Sequence, residues 1–321
     1  MYNGLLLVNK PKGMVSKDVS RVIQRGLRPQ KIKLGHVGTL DPLADGALPV
    51  VLGEATKLQD YLLELPKEYI FTIKFGSMTT TMDLDGEEVE TSELPNIDSV
   101  VLEKILENYT GPISQTPPLY SAIKFNGRPL YDYARKGEGH LVDLVGLKRH
   151  VHVYELESLT FSSKEASFRV LCSKGTYVRS LAFDICKELS VVGTVVELHR
   201  SMAAGFRVVD AVSLADLETD TIATLEKFIP IEDLTIGLGT VCLSNAQESK
   251  LRNGLIVELP EELFAKTLKN KPQSSQQGAV FKENDAFLMV NEQGSAFGVG
   301  TIKTINYCKF LVKMKRGISY G

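Results

Sequence analysis

Apolar side chains recur along this chain at two spacings, which predict strands and helices in alternation. An apolar run over residues 5–8 predicts a short strand, and alternation over residues 69–75 and 167–173 predicts two more. Ser16 and Asp98 precede stretches of helical spacing and are suited to cap them. The apolar positions of the three predicted helices are Val19, Val22, Ile23 and Leu27, then Leu102, Ile105, Leu106 and Tyr109, then Val178, Leu181, Ala182, Ile185 and Leu189.

The pattern changes at about residue 235, and we predict a domain boundary there. A polar stretch over residues 269–278 reads as an exposed loop. The predicted strands of this part cover residues 286–290, 298–302 and 308–314. Short strands of this kind are expected to close into a small β-barrel. The predicted domains are therefore residues 1–234 and residues 235–321.

Composition adds an uneven distribution of charge. The chain has 321 residues, 43% of them hydrophobic, which is enough for a sizeable core in one large domain or two. Residues 1–40 carry eight Lys or Arg against one acid, residues 83–107 carry nine acids against one Lys, and the stretch from Lys266 onward carries nine Lys or Arg against three acids. These blocks predict a side that faces phosphate and an acidic back, although ordinary solvated surface explains them equally well.

Several classes of chemistry find no support in the sequence. The four cysteines show no C-x-x-C spacing, and no cluster of His and Cys has the spacing of a zinc site, so we expect reduced thiols and no metal. Glycine-rich nucleotide-binding motifs are missing, so no cofactor is expected. Neither a signal-peptide pattern nor an apolar run long enough to span a bilayer is present, so we expect a cytoplasmic protein with no membrane partner.

Residues 35–49 are the strongest candidate for an active-site loop. Glycines in this stretch permit positive φ or close backbone approach, and Pro42 pushes Asp41 toward an extended conformation. Asp41 is therefore held in a constrained loop, with His36 five residues before it. An isolated Asp-Pro pair would more simply mark a turn. The whole stretch favours a site.

A second candidate lies at a predicted junction between a strand and a helix. Gly175 and Thr176 interrupt the strand, and Tyr177 and Arg179 are predicted in the first turn of the helix that follows. Taken alone, Tyr177 fits a partly buried core aromatic and Arg179 a charge that faces solvent. Such a junction holds its loop rigidly and can present side chains to a ligand. Together with the Asp41 loop, it points to a binding site.

The segment over residues 35–49 resembles the motif G-H-x-G-T-L-D-P-x-A-x-G-x-L-P around the catalytic aspartate of TruB-type tRNA pseudouridine-55 synthases, and it matches throughout. Other segments agree with that family in the same order, at residues 9–14, 67–69, 75–83, 115–124, 174–180 and 198–200. The resemblance is close over about the first 230 residues and looser beyond them. His199 departs from it, because a second arginine is expected there beside Arg200.

The resemblance implies an α+β fold. Its catalytic domain would contain a mixed, largely antiparallel sheet flanked by helices, and a small C-terminal β-barrel similar to PUA-type RNA-binding domains would follow. It also implies isomerisation of the T-loop uridine at position 55 of tRNA to pseudouridine, in which the N-glycosidic bond breaks and the base rejoins through C5. A stacked uridine must be flipped out before side chains can reach its sugar and C5.

Roles for single residues follow from the same resemblance. Asp41 is implied as the catalytic carboxylate, which attacks C1′ or removes a sugar proton, and Arg179 as its partner. Tyr69 is implied to stack on the base and to help remove the C5 proton. The implied substrate-binding residues are Tyr177 and Leu198 as pocket walls, His36 as an RNA contact, and Lys10 as a support of the active-site loop.

Binding to the T-arm of tRNA is expected from two basic segments. One is the N-terminal helix, and the other is residues 121–152, in which Lys and Arg side chains alternate with Phe125, Tyr131 and Tyr133. Charged groups suit phosphates, and aromatic rings suit unpaired bases. No heptad pattern requires a partner chain, so we expect a monomer.

Two alternatives to this enzyme remain open. The first is a non-catalytic tRNA-binding or tRNA-folding protein of the same architecture. The second is an enzyme of the same fold that modifies another RNA, such as a subunit of a guide-directed complex. The joint presence of Asp41, Tyr69 and Arg179 favours an enzyme, because a binding module does not need all three.

Overall fold

Most strands between Gly4 and Pro230 pair into one large mixed sheet, four short ones form two separate hairpins, and later strands form a smaller sheet. The computed structural model describes residues 2–94, 98–234, 239–260, 262–265, 283–306 and 309–319. The strands are β1 (Gly4–Lys10), β2 (Leu34–His36), β3 (Asp45–Leu52), β4 (Lys67–Phe75), β5 (Ser77–Thr79), β6 (Glu88–Thr91), β7 (Gly111–Gln115), β8 (Lys124–Phe125), β9 (Arg128–Pro129), β10 (Arg149–Phe161), β11 (Glu165–Cys172), β12 (Gly193–Ala203), β13 (Phe206–Arg207), β14 (Val212–Ser213), β15 (Ile229–Pro230), β16 (Gly239–Cys242), β17 (Val257–Pro260), β18 (Ala286–Val290), β19 (Ala296–Asn306) and β20 (Lys309–Gly317).

Helices connect these strands and cover part of the large sheet. They are α1 (Ser16–Gly26), α2 (Gln59–Glu64), α3 (Ser99–Asn108), α4 (Leu130–Arg135), α5 (Val178–Glu188), α6 (Leu214–Thr219), α7 (Thr221–Leu225), α8 (Asn245–Arg252) and α9 (Glu262–Ala265), with 3-10 turns at Gly53–Leu58, Gly139–Leu141, Val145–Leu147, Val208–Asp210 and Ile231–Asp233. The predicted helices are thus confirmed as α1, α3 and α5. The predicted cap of α3 is confirmed, because the Asp98 side chain accepts a hydrogen bond from the Val100 N–H at 3.0 Å. The predicted position of Tyr177 in the first turn of α5 is wrong, because Tyr177 is the residue before that helix.

The large sheet has the strand order β14-β1-β3-β12-β4-β11-β10-β7. The β1/β14 and β3/β12 pairs are parallel, and the other neighbours along this path are antiparallel. The predicted mixed, largely antiparallel sheet is therefore confirmed. The parallel pairing of β3 with β12 sets His199 opposite Asp45 and Arg200 opposite Gly46, which brings the end of the Asp41 loop to β12.

Apolar side chains are buried on both faces of β1, because a strand directs alternate residues to opposite sides. Leu6 and Val8 join the main core beneath α1, α3, α5 and α6. Leu5 and Leu7 face the other way, into a core that α2 and the C-terminal sheet also enter. The alternation over residues 69–75 is likewise confirmed as β4, where Phe71, Ile73 and Phe75 are buried.

The prediction that Ser16 caps α1 is wrong. Val15 occupies the N-cap position, and no side chain caps this helix. The Ser16 hydroxyl instead donates to the Leu40 carbonyl at 3.1 Å and accepts from the Leu40 N–H at 2.8 Å. A long-range contact has thus taken the hydroxyl that local sequence assigned to the helix end, and it ties the loop before Asp41 to α1.

The C-terminal strands pair in the order β16-β18-β19-β20-β17. Among the residues that the structure describes, no pairing joins β16 to β17, so the smaller element is an open ladder of five strands. Leu288, Val299 and Ile318 from this part enter the core that contains Leu5 and Leu7 of β1. The predicted boundary at residue 235, the polar stretch 269–278 and Cys308 lie outside the described residues.

Candidate active site

A cavity of about 630 Å³ opens beside the loop that joins β2 to β3. Asp41, His36 and Arg179 border it, so three of the predicted site residues meet there, although Arg179 is far from the other two in sequence. The His36 ring lies 3.2 Å from the Thr39 hydroxyl, from Nε2 to Oγ1. Burial, followed by the charge of Arg200, lowers the pKa of His36, which favours a neutral imidazole at the cavity wall.

Three contacts hold the loop that carries Asp41. Ser16 binds the backbone of Leu40 on one side of it, and the Gly13 N–H donates to the Pro42 carbonyl at 2.7 Å on the other. Gly46 ends the loop with a φ of +106°, and a Cβ there would lie 2.3 Å from the Arg200 carbonyl oxygen. Only glycine fits this close approach of two backbones. Asp41 is therefore fixed from both ends of its loop.

Arg179 lies between two carboxylates. Its guanidinium is 2.7 Å from Asp41 and 3.4 Å from Asp83, and its side chain is only 4% exposed. It also donates to the carbonyls of Thr81 at 2.9 Å and Tyr120 at 3.0 Å. Five N–H groups in a rigid fork allow one side chain to make all these contacts. The predicted pairing of Arg179 with Asp41 is confirmed, and the reading of Arg179 as a solvent-facing charge is wrong.

Asp83 is a site residue to which sequence reasoning gave no role. It lies in the turn between β5 and β6, where its carboxylate accepts a hydrogen bond from the Asp85 N–H at 3.1 Å. Both Asp83 and Asp85 border the cavity. Desolvation, followed by the charge of Asp83, raises the pKa of Asp85. The acidic block over residues 83–107 was expected on the surface opposite the phosphate-facing side. Its first two carboxylates, Asp83 and Asp85, lie instead at the cavity. The agreement of residues 75–83 with the family was the sequence signal that could have identified Asp83 as a site residue.

The four remaining predicted site residues do not border this cavity: Lys10, Tyr69, Tyr177 and Leu198. Leu198 is 5% exposed, lies in the main core and pairs in register with Phe71 of β4. Tyr177 exchanges two hydrogen bonds with Gln115: its N–H donates to Oε1 at 3.0 Å, and its carbonyl accepts from Nε2 at 3.3 Å. These bonds fix the start of α5, which carries Arg179.

Tyr69 and Lys10 lie close enough to Asp41 to respond to its charge. Burial raises the pKa of the Tyr69 hydroxyl, whereas the charge of Arg200 and a hydrogen bond with it act in the opposite direction. Lys10 is fully buried, and desolvation lowers its pKa to about 8. Its ammonium donates to the carbonyls of Pro11 at 2.8 Å and Met14 at 2.7 Å. Lys10 therefore holds the turn that contacts Pro42 through the Gly13 N–H.

His199, where the family resemblance led us to expect arginine, pairs with the loop instead. Its Nδ1 lies 2.6 Å from Asp45 Oδ1, across the parallel β3/β12 pair. Neither residue borders the cavity. The adjacent Arg200, the last residue of the matched segment 198–200, is 1% exposed and therefore faces the protein interior.

The basic and aromatic segment predicted to contact RNA adjoins the cavity. It contains the β8/β9 hairpin and α4, and Tyr131 and Arg135 of α4 border the opening. Arg128 forms an ion pair with Glu138, and its guanidinium lies 3.4 Å from the centre of the Tyr133 ring. These contacts fold the segment back on itself beside the site, with aromatic and cationic side chains next to the carboxylates.

Two further features bear on function. Within the described ranges, no group of three or more His, Cys, Asp or Glu side chains is arranged to hold a metal ion. No helix in the same part of the chain is long and apolar enough to cross a membrane. The polar side chains that line the cavity carry carboxylates, guanidinium groups, an ammonium, an imidazole, phenols and aliphatic hydroxyls.

Comparison with known proteins identifies relatives of this chain over most of its length. Residues 25–178 match the model of the TruB family pseudouridylate synthase N-terminal domain. A tRNA pseudouridine synthase B from Clostridium kluyveri is 38% identical over 269 residues, which cover 84% of this chain and 90% of the relative. The enzyme of the same name from Hydrogenovibrio crunogenus is 37% identical, with 82% of this chain and 85% of the relative covered.

Solved structures agree on the fold. A protein in an H/ACA RNP bound to a substrate RNA containing 2′-deoxyuridine superposes with a TM-score of 0.71 at 21% identity, over 99% of this chain and 85% of that one. A chain of a Cbf5-Nop10-Gar1 complex gives the same TM-score at 22% identity, over 98% of this chain and 84% of that one. At these identities the likeness concerns architecture alone.

Proposed function

The chain belongs to the TruB family of pseudouridylate synthases and isomerises uridine in tRNA to pseudouridine, and we propose that its substrate is the T-loop uridine at position 55, with Asp41 as the catalytic carboxylate. The observation that carries the assignment of Asp41 is its 2.7 Å ion pair with the buried Arg179 at the wall of the cavity. Arg179 is held by two carboxylates and two carbonyls, so it fixes the direction of the Asp41 side chain.

The reaction needs no second substrate. The N1–C1′ bond breaks, the C5–C1′ bond forms, C5 loses a proton and N1 gains one, so the atoms and charges balance. A cavity of about 630 Å³ is of the size that encloses a small ligand and suits a single flipped nucleotide. Asp41 is 36% exposed, so its carboxylate is open to the ribose of such a nucleotide. It acts on C1′ as nucleophile or on a sugar proton as base.

The other predicted site residues surround this carboxylate in supporting roles. Tyr69 on β4 stacks on the base and takes the C5 proton, as the family resemblance implies, and its hydroxyl lies near enough to Asp41 for the charge of that carboxylate to act on it. Tyr177 and Leu198 complete the pocket when the nucleotide enters, and His36 contacts the RNA at the opening. Lys10 holds the turn over residues 11–14 against Pro42. No step of this proposal uses a metal or cofactor.

Binding of the T-arm is proposed for the surface around the opening. Lys17 of α1 and Arg135 of α4 both border the cavity, which supports phosphate contacts from the two basic segments. We assign residues 1–234 to catalysis and residues 235–321 to a PUA-like RNA-binding domain, whose five-stranded sheet is compatible with that fold. The protein is expected to act as a monomer in the cytoplasm, where its tRNA substrate is found.

Tritium release tests this function. An unmodified tRNA transcript with tritium at C5 of its uridines is incubated with the protein, and pseudouridine formation releases the label to water. Wild-type protein should release tritium equivalent to one uridine per tRNA, and a T-loop transcript with that uridine replaced by cytidine should release none. Asp41→Asn should lower the rate by at least about a thousandfold at equal tRNA binding, because the reaction loses its carboxylate.

Asp45→Asn is the matched control, because Asp45 lies in the same loop but pairs with His199 outside the cavity. It should keep a rate within about tenfold of wild type. Full activity of Asp41→Asn would show that another group is the catalytic carboxylate. Tight tRNA binding by wild type without any release would favour the non-catalytic tRNA-binding protein of the same architecture.

A further inference from the structure

Arg200 is a buried cation whose surroundings differ from those of Arg179. Its side chain is 1% exposed, and among the ion pairs of the described residues none includes it. Burial of an unpaired guanidinium costs several kcal/mol of solvation. Its Nε donates to the Ala47 carbonyl at 2.7 Å and one terminal nitrogen to the Gly38 carbonyl at 2.9 Å. The positive charge is therefore compensated by backbone dipoles, not by a carboxylate.

These two carbonyls flank the catalytic loop. Gly38 lies three residues before Asp41, and Ala47 lies six residues after it. The planar guanidinium of Arg200 thus holds both ends of the loop at a fixed separation. A lysine cannot reproduce this contact, because its ammonium is a single point on a flexible stem.

The same guanidinium also lies beside Tyr69. Arg200 and Tyr69 are paired in register across β12 and β4, and the guanidinium carbon is 6.0 Å from the centre of the Tyr69 ring. Burial raises the pKa of Tyr69, and the charge of Arg200 together with a hydrogen bond opposes that rise. The other titratable groups around this pair are Lys10 on β1, His36 on β2, Asp41 in the loop, Lys67 on β4 and Cys172 on β11.

We propose that Arg200 is a positioning residue for both halves of the reaction: it clamps the loop that carries Asp41, and it supplies the positive charge against which Tyr69 acts as the base at C5. The proposal rests on the proposed function for the role of Tyr69. It explains why the motif that ends in Arg200 faces the interior and not the RNA.

The proton balance of this step is closed. After C5 has bonded to C1′, the C5 proton passes to the phenolate oxygen of Tyr69, and the electron pair of the C5–H bond returns to the uracil ring. N1 then takes a proton from the phenol so formed, which regenerates the phenolate. The ring is left as neutral pseudouridine, and Tyr69 needs a neighbouring cation at both stages.

The link between Arg200 and Tyr69 can be measured without RNA. A single 3,5-difluorotyrosine at position 69 has a phenol acidic enough to titrate in folded protein, and its fluorine NMR signal reports ionisation of this residue alone. In Arg200→Gln the midpoint should move to higher pH by about one to two units, since a unit charge near 6 Å is removed from a poorly solvated site. Arg200→Lys should give a smaller rise, because the ammonium cannot maintain the same geometry.

Arg207→Gln is the matched control, because Arg207 is an exposed arginine on the adjoining strand β13. It removes the same charge and should leave the Tyr69 midpoint unchanged. An unchanged midpoint in folded Arg200→Gln overturns the proposal. If Arg200→Gln does not fold, Arg200→Met removes the same charge with an apolar side chain that suits the buried position, and an unchanged midpoint there overturns the proposal equally.

The pH dependence of tritium release separates charge from scaffolding. Arg200→Gln should release tritium at least about tenfold more slowly than wild type near neutral pH and should recover as the pH rises and Tyr69 ionises. If the rate of tritium release by Arg200→Gln is reduced by the same factor at every pH, Arg200 only clamps the loop, and its proposed role in proton removal by Tyr69 is overturned. Absence of release from wild type would instead refute the proposed function, while the fluorine titration would still report on Arg200 and Tyr69.

Discussion

Lys10 offers a test of how this site is held together. Its side chain is fully buried, yet its ammonium has only the carbonyls of Pro11 and Met14 as hydrogen-bond partners in the described chain. Desolvation lowers its pKa from 10.5 to about 8. Replacement by methionine, which has a similar length and no charge, removes both the solvation cost and the two hydrogen bonds. The two effects oppose each other, and pH separates them.

The sign follows from proton binding. Between pH 8 and 10.5 the unfolded chain keeps the proton on Lys10 that the folded protein has released, so the free energy of unfolding rises with pH. A depression of this size corresponds to about 3 kcal/mol. Near neutral pH the buried charge offsets most of what the hydrogen bonds contribute, so Lys10→Met should be within about 2 kcal/mol of wild type. By about pH 10 wild type should have gained about 2.5 kcal/mol over the variant.

Urea unfolding followed by circular dichroism at several pH values between about 7 and 10 measures this difference. Subtracting the variant from wild type cancels the groups that both proteins share, including Lys67, whose pKa burial also lowers to about 8. Lys12→Met, at an exposed lysine two residues away, is the control and should show no such change in slope. A difference between wild type and Lys10→Met that stays flat across this range would refute the reasoning, because it would mean that Lys10 remains charged in the folded protein.

Three further substitutions test contacts around the site. Ser16→Ala should lower the free energy of unfolding, measured in urea, by about 1–2 kcal/mol, because the Ser16 hydroxyl makes two hydrogen bonds to the loop backbone. Ser20→Ala on the same helix is the control. The Ser20 hydroxyl has no hydrogen-bond partner in the described residues, so this change should alter the free energy of unfolding by less than about 0.5 kcal/mol. Asp83→Asn removes one of the two carboxylates at Arg179 and should cost about 1–3 kcal/mol and slow tritium release without weakening tRNA binding; unchanged stability and release would contradict the network. Arg316→Ala, which loses its bonds to the Lys57 carbonyl and to Asp60 of α2, should lower the melting temperature by about 2 °C in scanning calorimetry, and an unchanged value would show that these two bonds do not stabilise the protein.

Local patterns predicted the parts of the fold that local physics determines. Alternation gave β4, and a carboxylate before a helical stretch gave the Asp98 cap of α3. The motif around Asp41 and the junction at Gly175 each indicated a constrained loop that could present side chains, and the family resemblance implied that Arg179 pairs with Asp41, as the structure shows. Ser16 shows where this reasoning ends: its position before a helix favoured a cap, and a tertiary contact with Leu40 took its hydroxyl instead.

The residues that sequence reasoning missed depend on strand pairing. Asp83 reaches Arg179 because the turn after β5 bridges to Val195 of β12, a contact that no spacing in the sequence records. Arg200 reaches Gly38 and Ala47 because β12 runs parallel to β3. Parallel pairing joins segments more than a hundred residues apart, and its partners cannot be deduced from a single periodic pattern.

Three buried cations behind the Asp41 loop carry a shared implication. Lys10, Lys67 and Arg200 are each at most 5% exposed, and each donates to backbone carbonyls, with no ion pair to a carboxylate among the described residues. Apolar side chains of similar size would fill these places at lower solvation cost. The fold therefore retains charge at a position where it lowers stability. The segments that these cations fix are the loop that carries Asp41 and the chain that leads into β4, the strand of Tyr69. The lost stability is therefore spent on the geometry of the proposed catalytic residues. Where only packing is required, as at Phe71, the same sheet uses apolar residues.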